Sequence, residues 1–116
     1  MRMVIAGGRD FKGFYSDSKL IREAVKKYII TEIISGSAIG ADAFGERCAE
    51  ILKIPIKKFP ADWIKHGRKA GPMRNKQMAE YTDYVFLFPG DRGTESMRRE
   101  ALKAGKQIIY DTGWIE

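Results

Sequence analysis

The chain has 116 residues, 44% of them hydrophobic and 31% charged, which suits a single compact domain of ordinary composition over residues 1–116. Its one cysteine, Cys48, excludes an intramolecular disulfide framework and a multi-thiolate zinc site, and no apolar run approaches the roughly 18 residues that cross a bilayer. The net charge of +6 is concentrated: Lys53 to Lys76 carries eight basic residues against Asp62 alone, a local +7, and the remaining 13 basic and 14 acidic residues leave −1.

Short β-branched or aromatic runs alternate with longer segments of helical period, the pattern of an α/β chain whose parallel strands are linked by crossover helices. The first run, Met3 to Ala6, is followed by Gly7-Gly8-Arg9-Asp10-Phe11. Only about four apolar residues follow Arg2, too few for a secretory signal, so the sequence predicts a cytoplasmic protein. Leu20, Ile21, Ala24, Val25 and Tyr28 then fall on one stripe and predict a helix over Ser18 to Tyr28, with Ser16, Asp17 or Ser18 as its cap. A second strand, Glu32 to Ser35, leads through Gly36-Ser37-Ala38-Ile39-Gly40 into a helix over Ala41 to Leu52, where Cys48 reads as a small core residue. The third strand is predicted over Ile54 to Phe59, followed by Pro60-Ala61-Asp62-Trp63 and a basic loop that holds His66, read as a surface residue. Pro72 suits the first turn of a helix ending near Tyr81, with Arg74 and Met78 on one face. A fourth strand, Tyr84 to Phe88, a helix capped by Thr94 and stopped by Gly105, and a fifth strand, Gln107 to Tyr110, complete the chain.

A parallel sheet sends the loop after every strand to one edge, where ligands bind. The glycine-rich turns Ser35-Gly36-Ser37 and Pro89-Gly90-Asp91-Arg92-Gly93-Thr94 each feed a helix, and that arrangement aims unpaired amides and a positive dipole end at an anion such as phosphate. Arg74 suits bidentate pairing with phosphate or carboxylate, Asn75 a base or ribose edge, and Trp63 a stacking contact. Asp10, Asp42, Asp62, Asp91 and Glu95 are edge carboxylates fit to act as acid or base or to bind ribose hydroxyls, and spacing does not choose among them.

The motifs Gly7-Gly8-Arg9-Asp10-Phe11, Ser35 to Asp42, Phe59 to Trp63, Ala70 to Met78 and Phe88 to Thr94 resemble, in order, the YspA/YpsA-related branch of the SLOG superfamily, over residues 1–112. The resemblance implies a single Rossmann-like three-layer domain that binds a nucleotide-derived ligand of the NAD, ADP-ribose or nucleoside monophosphate class, and a homodimer. It points to Gly7, Gly8, Arg9, Asp10, Ser35, Gly36, Ser37, Gly40, Ala41 and Asp42 from the first two loops as ligand-binding residues. From the later motifs it adds Asp62, Trp63, Arg74, Asn75, Met78, Pro89, Gly90, Gly93 and Thr94. Arg74 matches an active-site arginine of the related lonely-guy phosphoribohydrolases, and Pro89, Gly90, Gly93 and Thr94 match their phosphate loop. Asp91 replaces a loop glycine, and Met97 stands where those enzymes carry a catalytic glutamate, so their activity does not transfer.

Three readings follow. The first is nucleotide-ligand binding or sensing at the sheet edge. The second is nucleic-acid binding through residues 53–76. The third is an N-glycosidase or phosphohydrolase, with Arg74, Asp42, Asp62 and Glu95 as candidate catalytic residues.

Overall fold

A computed structural model describes residues 1–111, so the last residue of the family resemblance and the four beyond it lie outside the described residues. Five parallel strands, β1 (Arg2–Ala6), β2 (Glu32–Ser35), β3 (Ile56–Lys58), β4 (Tyr84–Leu87) and β5 (Gln107–Asp111), form one sheet in the order β3-β2-β1-β4-β5. The helices are α1 (Tyr15–Lys27), α2 (Ala41–Leu52), a short α3 (Trp63–His66) running through a 3₁₀ turn into α4 (Ala70–Tyr81), and α5 (Arg92–Lys103).

The order is that of a Rossmann-like domain. The chain steps outward from β1 to β3, then returns across β1 to β4 and β5. Crossovers of one hand on opposite steps must place their helices on opposite faces. The two cores agree: Met3, Ile5, Ile33 and Phe86 pack with Ile21 of α1 and Phe44 and Cys48 of α2, whereas Val4, Ile34, Val85 and Leu87 pack with Met78 of α4 and Met97 of α5. Alternate residues of each central strand thus enter opposite cores, and the runs are apolar throughout because both faces are covered. Cys48 is buried in the first core, as its sequence position predicts.

Several boundaries differ from expectation. The first helix begins at Tyr15 because Asp17 works from within the first turn: its Oδ2 accepts the Phe14 N–H at 2.8 Å and does not cap as the preceding residue. The third strand is shortened because Pro55 has no amide hydrogen and the Ile54 N–H bonds back to Ala49 O of α2 at 2.8 Å. The basic loop is largely helical, and His66 closes α3, where its N–H donates to Asp62 O at 3.0 Å. Pro72 is the third residue of α4, one position where a missing amide hydrogen leaves no bond unmade. The last helix is capped by Asp91, whose Oδ1 accepts the Gly93 N–H at 3.4 Å, so Thr94 lies inside the first turn and not at the cap. Gly105 does stop that helix, at φ 71°, with Lys106 N–H reaching Ala101 O.

Candidate functional site

At the carboxyl ends of the strands, where the order reverses between β1 and β4, the loops leave a cavity of about 570 Å³. Eleven of the predicted site residues line it. The loops after β1 and β2 contribute Gly7, Arg9, Gly36 and Ser37, and α2 adds Asp42. From the other side come Trp63, Arg74, Asn75 and Met78, and the start of α5 supplies Gly93 and Thr94. Gly8, Asp10, Pro89 and Gly90 line an adjoining hollow of about 550 Å³, which shares Arg9, Ile39 and Asp91 with the first.

The remaining five predicted residues serve the scaffold. Ser35 is buried, and its hydroxyl donates to Glu46 Oε2 at 2.5 Å while accepting the Ser37 N–H at 3.0 Å, which shapes the turn after β2. Gly40, at φ 79°, precedes α2 and packs on the backbone of Gly8 and Arg9. Ala41 is fully buried and its N–H donates to Gly8 O at 3.1 Å. Asp62 caps α3 by accepting the Lys65 N–H at 3.0 Å. Glu95 is exposed on the outer side of α5 and pairs with Arg98, which Asp111 also holds. Asp62 and Glu95 are therefore removed from the carboxylates that face the cavity.

Arg74 is the centre of the polar lining. Its Nε donates to Asn75 Oδ1 at 2.9 Å, and its Nη1 donates to Gly36 O and, at 3.5 Å, to Phe59 O. Nη2 has no partner among the described residues, and because Nε is bonded to Asn75 the Nε–Nη2 edge that a bidentate pair would use is already engaged. Asn75, buried, passes the constraint onward by donating to Ser96 Oγ at 3.1 Å and Gly93 O at 3.4 Å, which ties Arg74 to the first turn of α5.

Asp42 sits opposite, 8% exposed, with Oδ2 accepting the Ala38 N–H at 3.1 Å. Burial is the main cause that pushes its carboxyl up from 3.8 to about 6; the Ala38 hydrogen bond and Arg74 act against the rise and Glu46 adds to it. Burial correspondingly pulls Arg74 down, with Asp42 opposing. The two side chains converge on Gly36, where a Cβ would lie 2.6 Å from Arg74 Nη1 and 2.8 Å from Asp42 Oδ2. Only glycine permits that convergence.

Two features of the first turn of α5 are not accounted for by hydrogen bonding or backbone conformation, although the Thr94 side chain packs against Gly90. The Thr94 hydroxyl is buried, the residue being 3% exposed, and lacks a hydrogen-bond partner among the described residues. Gly93 has neither a positive φ nor any atom within 4 Å of where a Cβ would sit, unlike every other described glycine. Met97 is 1% exposed and forms apolar floor.

Sequence reasoning missed Ile39 and Arg92, which also line the cavity. Ile39 is 61% exposed in a loop of small residues, and a large aliphatic in such a turn was the one available signal. Arg92 follows a capping aspartate, a position that reads as ordinary helix surface, and it stays exposed while lining the cavity rim.

Fold and crevice together define a Rossmann-like domain with a ligand-sized pocket at its strand-order reversal. No family model and no solved structure matches the chain. The Gene 61 protein of Mycobacterium phage D29 is 38% identical to it over 85 residues, covering 66% of this chain and 68% of the phage protein, and the chain belongs to that protein's family.

Proposed function

We propose that the protein binds a nucleotide or nucleotide-derived ligand in the 570 Å³ cavity, as a member of the YspA/YpsA-related branch of the SLOG superfamily. The observation that carries the reading is Gly93. Glycine in a helix costs stability, and here neither backbone conformation nor packing requires it. A phosphate oxygen brought against the first turn of α5, where Asp91 Oδ1 holds the Gly93 N–H, needs that position free of a side chain, and the unpartnered Thr94 hydroxyl, packed against Gly90, lies in the same turn. The free Nη2 of Arg74 and the side chain of Arg92 add positive charge, Trp63 and Ile39 offer apolar faces to a base, and the volume lies within the usual range for small-molecule sites. Self-association, implied by the same family resemblance, is tested by sedimentation.

The test is thermal denaturation with AMP, ADP-ribose and NAD. At least one raises the melting temperature, and both Arg74→Lys and Gly93→Val remove the rise while remaining folded. No shift across the panel at millimolar concentration overturns the reading.

Turnover is a second reading, supported by Asp42, whose carboxyl titrates near 6 inside the cavity and so suits an acid or base. Release of free base from AMP or NAD, followed chromatographically, tests it, and Asp42→Asn abolishes the release.

A further inference from the structure

The two ends of the cavity differ in chemistry, and the difference assigns the parts of the ligand. This inference rests on the nucleotide reading above. At the α5 end are the first-turn amides, the Thr94 hydroxyl and Arg92, together with the exposed carboxylate of Asp91, whose Oδ1 is taken up in capping the helix through Gly93 N–H. At the α2 end is the carboxylate of Asp42, an acceptor when ionised, with its orientation held by Ala38 N–H. A phosphate placed there would meet a like charge in a desolvated corner. Neutral donors suit that corner, and a nucleotide presents them as the vicinal hydroxyls of its ribose. The base is accommodated elsewhere: Trp63 is 58% exposed, Ile39 61%, and both line the same cavity with large apolar surfaces.

We propose that Asp42 reads the sugar, its carboxylate accepting hydrogen bonds from the ribose hydroxyls, so that the site selects ribonucleotides over 2′-deoxyribonucleotides. Gly36 is what brings Asp42 and Arg74 to one point of the wall, so the acceptor is flanked by the guanidinium that holds the ligand's anionic portion nearby. The charged groups around the carboxylate are Arg74 of α4 and, one turn along α2, Glu46, which is bonded to Ser35 of β2 and lies 3.8 Å from Lys58 of β3. Because the carboxylate is buried, a deoxy ligand leaves part of it unpaired, and that loss exceeds the loss of the same bond at a surface.

The experiment is isothermal titration of AMP, ADP-ribose and NAD, each against its 2′-deoxy analogue, at pH 7.5 and pH 5. The ribo form binds about ten- to a hundredfold tighter at pH 7.5, the size expected of a hydrogen bond to a buried charged acceptor. Protonation narrows the gap at pH 5, Asp42→Asn narrows it at pH 7.5, and Asp42→Ala closes it, with unfolding curves confirming that both variants are folded. Equal affinity for ribo and deoxy forms overturns the sugar assignment and leaves nucleotide binding standing. So does a ribo preference that survives in Asp42→Ala. Silence from every ligand in the wild-type protein overturns the nucleotide reading and this inference with it.

Discussion

Asp42 and Gly93 each sacrifice stability in the free protein. For Asp42 the cost is pH-dependent. Below about pH 3 its carboxyl is protonated in both folded and unfolded chains and costs nothing. As pH rises, the unfolded carboxyl ionises first, and by the time the folded one follows near pH 6 the protein has lost about 2–3 kcal/mol. Asp42→Asn keeps an oxygen for Ala38 N–H and removes the titration. The urea-derived stability of this variant is expected to vary less between about pH 3 and 7 than that of the wild type, to exceed it at pH 7 by about that amount, and to match it below about pH 3. Gly93→Ala is expected to stabilise the free protein by a few tenths to about 1 kcal/mol, because alanine favours the helix and its methyl meets open space. The same change weakens ligand-induced stabilisation. A variant that is more stable when empty and less stabilised when loaded separates a ligand-facing glycine from a structural one.

Among the elements, three helices end in the same hydrogen-bonded motif with different residues at its left-handed position. α5 uses Gly105, α2 uses Lys53 at φ 60° and α1 uses Ile29 at φ 53°. In each, the following amide reaches back five residues, as Ile30 N–H does to Val25 O at 3.0 Å. A β-branched side chain in that conformation is strained, and Ile29 is 72% exposed, so little burial compensates. Ile29→Gly is expected to raise stability by about 1 kcal/mol, read as a higher urea midpoint at unchanged slope. Only Gly105 was legible in the sequence, because glycine announces a stop and Ile29 or Lys53 do not. The cap of α5 was misread for a related reason: Asp91 and Thr94 are both good caps, and only the path of the chain after Phe88 selects the earlier one.

For the molecule as a whole, the two cores share their strands. Val4 and Ile5 are neighbours in β1, yet one enters the α4–α5 core and the other the α1–α2 core, so neither layer can loosen without the sheet that supports the other. Unfolding is accordingly expected to be a single cooperative transition by fluorescence and circular dichroism alike. Phe86→Ala, which removes a ring stacked on Tyr110 and set edge-on to Phe88, should lower stability by about 3–5 kcal/mol without splitting that transition. Charge also acts at this scale. Seven of the eight cations between Lys53 and Lys76 are exposed, Arg74 alone being drawn into the cavity wall. Retention on immobilised DNA should therefore be weak and fall steeply between 50 and 200 mM salt, a range chosen on the scale over which counterion release acts.

The five strands, their alternation with helices and the edge at which ligands gather could be read from the chain alone, because strand and helix periods are local and parallel connectivity leaves one edge for the loops that follow strands. That reading also named Arg74, Asn75, Gly93 and Thr94 as residues of one site, and the cavity brings them together. What only tertiary structure decided is which polar groups face inward. Ser35, Asp42, Asp62 and Glu95 looked alike as edge residues, but Asp62 and Ser35 serve turns, Glu95 points to solvent and Asp42 alone is a carboxylate buried in the cavity wall near Arg74. Burial and charge proximity arise from packing between segments distant in the chain, here α2 against α4 across the ends of β1 and β2, and no local pattern encodes them.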